Sequence, residues 1–248
     1  MSTLILALTA GAVIGLALGA LGGGGSVLAV PALIYLLGFT PVAATTASLV
    51  IVAVTSATAM SAHARDGNVR WRTGLLFAAA GIGPAMLGGA LAGRIPAAAL
   101  TAAFAVVAGA AALRMLRTRQ HADTIVPVRS GRAAAAGAGL GAVTGVLGVG
   151  GGFLAVPALV SVLGMRMRNA VGTSLLVITV NSLAALAARA GTVDGLDWSV
   201  VGPFAGAAIL GAWDGKRLAT KVSGGTLQRI FALVLLAVAA FMLIDAAA

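Results

Sequence analysis

Cysteine is absent from this chain of 248 residues, and so is glutamate. Without thiols there is no disulfide framework, no thiolate metal ligand and no thiol relay. The six acids are all aspartates, and there are two histidines and one tyrosine. Charged residues make up 9% of the chain, where a soluble domain carries about a quarter. A cation site would need carboxylate, imidazole or thiolate ligands inside the spans, and the chain has almost none to offer. An intramembrane enzyme would need a nucleophile and a base at depth, and no such pair is visible. No cofactor, no metal and no catalytic residue is therefore expected.

What is present is apolar. The chain is 60% hydrophobic, with a mean hydropathy of +1.08, and apolar stretches of roughly 20 residues recur along its whole length. This is the pattern of a polytopic helical membrane protein; the short alternating segments of a β-barrel are missing. A net charge of +10 would suggest nucleic acid for a soluble chain. Here 14 of the 16 basic residues are arginines, most of them between apolar spans, which is the mark of a cytoplasmic face. No nucleic-acid partner is expected. The segment Met1 to Ala20 lacks the basic region of a secretory signal and reads as a retained membrane segment.

Two stretches organise the rest. Gly22 to Leu33 reads GGGGSVLAVPAL and Gly148 to Leu159 reads GVGGGFLAVPAL, matching at 9 of 12 positions with an offset of 126. Each interrupts apolar sequence with glycines, at a depth where unpaired backbone is tolerated only inside protein or along a cavity. Paired interruptions in two halves point to a transporter's binding site. The offset extends to Gly11, Gly15 and Gly19 against Gly137, Gly141 and Gly145, a small-residue face that lets a neighbouring helix approach. Gly38 pairs with Gly164 at the same offset, and after the polar loop 63–72 the offset becomes 127, pairing Trp71 with Trp198 and Phe104 with Phe231. The chain thus divides into a first membrane repeat 1–117, a linker 118–132 and a second repeat 133–248.

Equivalent loops carry opposite charge. Loop 63–72 holds Arg65, Arg70 and Arg72 against one acid, while 189–198 holds Arg189 against Asp194 and Asp197. Loop 38–43 is uncharged, but its counterpart holds Arg166 and Arg168. Such reversal is expected of inverted halves lying on opposite sides. An odd number of crossings per half follows from three transmembrane helices plus a helical hairpin that enters and returns, with the glycine break at its apex. The linker would be cytoplasmic and both termini outside. Asp214, two residues from Lys216 and three from Arg217, reads as an interfacial ion pair. His63, at a helix end, and His121, in the linker, read as solvated, and Trp71 and Trp198 as interfacial anchors.

Two copies of a GxGGG…VPxL segment, each followed by an AxxTSL-like one, resemble the sulfite exporter TauE/SafE family. The second element reads Ala170-Val171-Gly172-Thr173-Ser174-Leu175 in one half and Ala44-Thr45-Thr46-Ala47-Ser48-Leu49 in the other. The resemblance covers nearly everything but the linker, and the first copy departs from it in having Ala47 where the second has Thr173. It implies a secondary transporter of small sulfur-containing anions such as sulfite or organosulfonates, an exporter by the family's title, in a cell membrane. The expected partners are that anion and the lipid bilayer, with a homodimer an allowed assembly. Another small anion, a cation, or a non-transporting membrane scaffold are the alternatives.

Helix starts at the bilayer midplane offer unpaired N–H groups and a positive dipole end to an oxyanion. The candidate substrate-binding residues are accordingly Gly22, Gly24, Gly25 and Ser26 in the first break and Gly150, Gly151 and Gly152 in the second. Thr46, Ser48, Thr55, Thr173, Ser174 and Asn181 would supply side-chain donors, Thr55 and Asn181 being repeat equivalents near mid-depth. Plainer readings stand beside these. Glycine runs can serve packing alone, and membrane Ser and Thr commonly bond to their own helix. Pro31 and Pro157 are expected in an early turn of the short helices, where a missing N–H matters least.

Overall fold

A computed structural model describes residues 2–92, 96–117, 130–147, 152–187 and 196–247. Among them it is all-helical, with ten α-helices in two similar sets of five. The first set is α1 (Ser2–Leu21), α2 (Gly24–Pro31), α3 (Pro41–Arg65), α4 (Trp71–Ala92) and α5 (Ala97–Arg117). The second is α6 (Ser130–Leu147), α7 (Gly152–Ser161), α8 (Met167–Ala187), α9 (Trp198–Lys221) and α10 (Gly224–Ala247). Four segments, Thr3–Leu21, Val42–Arg65, Met167–Ala187 and Gly224–Phe241, are long and apolar enough to cross a membrane.

The repeat is visible in the local chemistry of the chain. Both short helical segments close on a glycine with positive φ, Gly38 at 71° and Gly164 at 67°, a conformation open to glycine because it has no β-carbon. Phe39 N–H then bonds the Leu33 carbonyl, and Met165 N–H the Leu159 carbonyl, each at 3.0 Å. Thr40 caps α3 by accepting from Ala43 N–H at 3.3 Å, with Pro41 in the first turn, where its missing donor costs nothing. Trp71 and Trp198 open α4 and α9, and both are exposed.

The two prolines of the repeated segments fall later than the early turn expected of them. Pro31 ends α2 and Pro157 is sixth of the ten residues of α7. Pro31 cannot donate to the carbonyl four residues back, and the chain continues past it in a wider π turn, Ala32–Leu36.

Packing pairs each half with the other. The most extensive contacts are α1 on α9 and α4 on α6, repeat-equivalent pairs, followed by α5 on α10 and α3 on α8. Glycine makes the first two possible. A β-carbon at Gly11, Gly15 or Gly19 would run into the carbonyls of Phe204, Ala208 and Ala212, and one at Gly137 or Gly141 into those of Phe77 and Gly81. In both pairs the positions climb together, so α1 runs parallel to α9 and α4 to α6. The equivalent helices α3 and α8 instead run in opposite directions. Ser56 meets Thr179, and further along α3 the turn at Asn68 and Val69 meets Gly172, near the start of α8.

These directions sort the charges. Lys216 near the end of α9 bonds Ala62 and Asp66 at the end of α3. Arg168 at the start of α8 donates to the Thr220 and Val222 carbonyls at the end of α9, and Gln228 at the start of α10 to the Met115 carbonyl at the end of α5. Every described lysine and arginine therefore stands at one end of the bundle, the end where α3, α5 and α9 finish and α4, α6, α8 and α10 begin. At the other end Asp197 is described.

The close approach of α1 and α9 gives a direct expectation. Gly15→Ala should destabilise the protein by about 1–3 kcal/mol through overpacking. Gly109→Ala in α5, where a β-carbon meets nothing within 4 Å, should be neutral or gain up to about 1 kcal/mol of helix propensity. Thermal unfolding in detergent checks both; equal effects at the two positions would contradict the packing described.

Candidate functional site

The two glycine breaks meet. A β-carbon placed on Gly23 would lie 2.8 Å from the Gly152 carbonyl oxygen and 3.0 Å from the Phe153 Cα. The last residues of the α1 break thus press directly on the first residues of α7. Gly22 turns the chain with φ of 74°, a conformation that strains any residue with a β-carbon. Its N–H bonds the Leu18 carbonyl at 2.8 Å. Its carbonyl accepts from Ser174 Oγ of α8, also at 2.8 Å, so the backbone groups freed by the turn find partners in protein.

From this contact the two short helices begin. Gly24, Gly25 and Ser26 form the first turn of α2, whose N-cap Gly23 has no side-chain hydrogen bond. Gly152 opens α7 and is buried; Gly150 and Gly151, expected beside it, lie outside the described residues. Helix starts at such a contact carry a positive potential of their own.

The side-chain candidates divide in two. Thr46 Oγ1 donates to the Val42 carbonyl at 3.2 Å and Ser48 Oγ to the Thr45 carbonyl at 2.8 Å, each on its own helix. Such back-bonding places their hydroxyl hydrogens within α3. Thr173 Oγ1 accepts the Arg70 N–H at 3.1 Å and ties α8 to the start of α4. Its repeat partner Ala47 is fully buried, so this tie exists in one half. Ser174 bonds the break itself, and also reaches the Val171 carbonyl at 2.8 Å.

Thr55 and Asn181 differ from these. Thr55 is 1% exposed, and its Oγ1 is buried without a hydrogen-bond partner. Asn181 Oδ1 is likewise buried and unpartnered. Buried polar atoms are almost always paired, and leaving one unpaired costs about 1–3 kcal/mol. Here two fall at equivalent positions of the two halves. They flank the crossing of α3 and α8, where Ser56 Oγ and Thr179 Oγ1 bond at 2.9 Å. Asn181 lies two turns from Ser174 along α8, about 10 Å at 1.5 Å per residue.

Other polar residues emerge only from the packing. Thr179 has Ala53 at its repeat position, so the periodic pattern did not single out its bond to Ser56. His63, expected to be solvated, is 4% exposed, and its Nε2 lies 3.1 Å from the Gly19 carbonyl. Burial under α1 explains the difference, because the glycine face of α1 lets the ring reach the backbone. His121 lies outside the described residues. Asp214 does pair with Arg217, at 3.4 Å and exposed to solvent, whereas Lys216 turns the other way, to Asp66 at 2.8 Å.

Residues 7–242 match the pattern of the family described as Sulfite exporter TauE/SafE. A "Probable membrane transporter protein" of Xylella fastidiosa (strain Temecula1) is 35% identical over 250 residues, covering 97% of this chain and 95% of the relative. A protein of the same name from strain 9a5c is 36% identical over 250 residues with the same coverage. No solved structure matches the chain.

Loss of the Ser174 hydroxyl should free the Gly22 carbonyl of its partner. Ser174→Ala is expected to cost about 1 kcal/mol, with more if the carbonyl stays dry. Gly22→Ala should cost more, since its β-carbon would face both the positive φ and Ser174 Oγ at 2.7 Å. Unfolding of the two variants in detergent provides the comparison; a silent Gly22→Ala would contradict the turn described.

Proposed function

This chain belongs to the sulfite exporter TauE/SafE family and is a multi-pass membrane transporter, and from that premise we propose that it carries a small sulfur-containing anion, sulfite or an organosulfonate, by alternating access. The anion sits where the two glycine breaks meet, held by the first-turn amides of α2 and α7 and by Thr55 and Asn181. Gly22, Gly24, Gly25, Ser26, Gly150, Gly151 and Gly152 shape the breaks and Ser174 holds the first in place; Thr173 anchors α8 to the start of α4, and Thr46 and Ser48 bond within α3. The observation that carries the reading is the buried, unpartnered Thr55 hydroxyl, whose O–H is free to donate to an anion; Asn181, its repeat equivalent, would donate through Nδ2. With neutral donors only, the anion is stabilised without an ion pair that would hold it too firmly to release.

Inverted repeats, 1–117 and 133–248, are the arrangement this mechanism needs. Three observations support it: opposite directions of the equivalent helices α3 and α8, reciprocal pairing of α1 with α9 and α4 with α6, and opposite charge in equivalent loops. Alternating access is then a rocking of the paired elements about the α3–α8 crossing. The cationic end faces the cytoplasm together with the 118–132 linker, and both termini lie outside.

Thr55→Val and Asn181→Leu separate a ligand role from a structural one. Each should lower sulfite uptake into proteoliposomes about tenfold, the worth of one hydrogen bond to an anion. Thermal stability should hold or rise, because an apolar replacement removes an unpaired group. Wild-type vesicles should take up sulfite or a sulfonate in preference to sulfate. Unchanged uptake in both variants would remove the proposed site, and a flat response to all three anions would remove the substrate class.

A further inference from the structure

His63 lies in the last turn of α3, at the cationic end of the bundle, and neither the packing of the core nor the proposed anion site uses it. Three elements surround the ring. Helix α1 presents the Gly19 carbonyl and has no titratable side chain. Helix α9 presents Lys216, and the turn after α3 presents Asp66. A carbonyl can only accept, so in the neutral ring Nε2 carries the hydrogen that points at Gly19. Nδ1 is then left with its lone pair, and that atom is buried with no hydrogen-bond partner. The tautomer is fixed, and the exposed chemistry of the ring is a buried base.

The neighbours show what a proton would do there. Lys216 Nζ donates to the Ala62 carbonyl at 2.8 Å and pairs with Asp66 Oδ2 at 2.8 Å, clamping the end of α3 to α9. A protonated His63 would put a second cation beside Lys216 and a new N–H donor at Nδ1, with Asp66 the one carboxylate facing the cluster. Two cations would compete for that carboxylate, so relief requires Lys216 to release α3, while the charged ring donates more strongly to the Gly19 carbonyl. Gly19 is three residues before Gly22, so a stronger bond from the ring acts on the last turn of α1, from which the first glycine break hangs. Asp66 is 41% and Lys216 18% exposed, which opens the cluster to water from the cationic end. The second half has no equivalent: the repeat positions of His63 and Lys216 are Arg189 and Gly89.

We propose that His63 is a proton-binding site linked to the glycine break of the first repeat, a proton taken at Nδ1 from the cationic end tightening the hold of α3 on α1 and loosening the clamp of α9 on α3. Histidine is the side chain whose charge changes near neutral pH. Where the site beyond the break carries an anion, a clause that rests on the transport reading above, the proton is the coupled ion. Linkage then requires anion and proton to alter each other's affinity by the same factor.

The chain has two histidines, so ¹⁵N-histidine labelling of the His121→Gln protein in lipid nanodiscs isolates the His63 ring, and 1-¹³C-glycine labelling selects the Gly19 carbonyl by its closeness to Nε2. The expected result is one titration as the pH is lowered, seen together at the ring nitrogens and at the Gly19 carbonyl carbon, with a midpoint that moves when sulfite is added. A ring that keeps one neutral tautomer throughout, or a titration that leaves Gly19 unmoved, overturns the proposal. In proteoliposomes, wild-type sulfite accumulation should rise about tenfold per unit of pH gradient at one proton per anion. His63→Gln, which keeps a donor for Gly19 but takes no proton, should show the same uptake with and without the gradient. A persisting gradient response in that variant overturns the coupling. Vesicles inert to every anion, with His63 and Gly19 still titrating together, would sink the substrate reading and uphold the proton site.

Discussion

Backbone inside hydrocarbon must find its hydrogen-bond partners within the protein, and this structure is arranged around the one place where two helices give them up. The chain leaves α1 at Gly22, and each freed group is met locally: its N–H by Leu18, its carbonyl by Ser174. The next residue is pressed onto Gly152 at the start of α7, so the first break is lined by the helix that follows the second. This needs backbones at touching distance. The glycine faces of α1 and α6 supply that closeness against α9 and α4, and the long helices thereby set how near the short ones come.

The same geometry separates charge from the centre. The described cations crowd one end, and the middle holds hydroxyls, amides and helix starts. Such a centre offers an anion partial positive charge from dipoles fixed by the fold, which need no reorganisation as the anion enters or leaves. Equivalent helices running in opposite directions give the centre two like faces, the basis for the proposed exchange between outward and inward openings. The interlock of Lys216 with Ala62 and Asp66 at the cationic end has no repeat partner, so the two openings are not chemically alike.

Much of this was legible in the sequence, because membrane helices announce themselves by composition and a repeat by comparison with itself. The matched glycines at 38 and 164 do end the short segments, and the matched tryptophans at 71 and 198 do begin long ones. The glycine stripe foretold a close neighbour but not that it would be α9, since a helix face says how near a partner comes and not which one it is. Pro31 and Pro157 were placed a turn or more too early: a proline restrains the carbonyl behind it, and a π turn can absorb the loss. His63 was hidden for a related reason. Its sequence neighbours are a polar loop, while its burial comes from α1, 44 residues away. Thr55 and Asn181 were marked by the repeat, but their lack of partners is a property of packing that no periodicity reveals.

Diffraction from crystals of the protein grown with selenite bears most directly on the claim that the paired breaks form one anion site. Selenite shares the charge and shape of sulfite, and selenium locates itself by anomalous scattering. The account predicts one selenium peak between the starts of α2 and α7, within hydrogen-bonding reach of their first-turn amides and of Thr55 or Asn181. Selenium bound only among the arginines of the cationic end, with the space between the two helix starts closed by side chains, would contradict it.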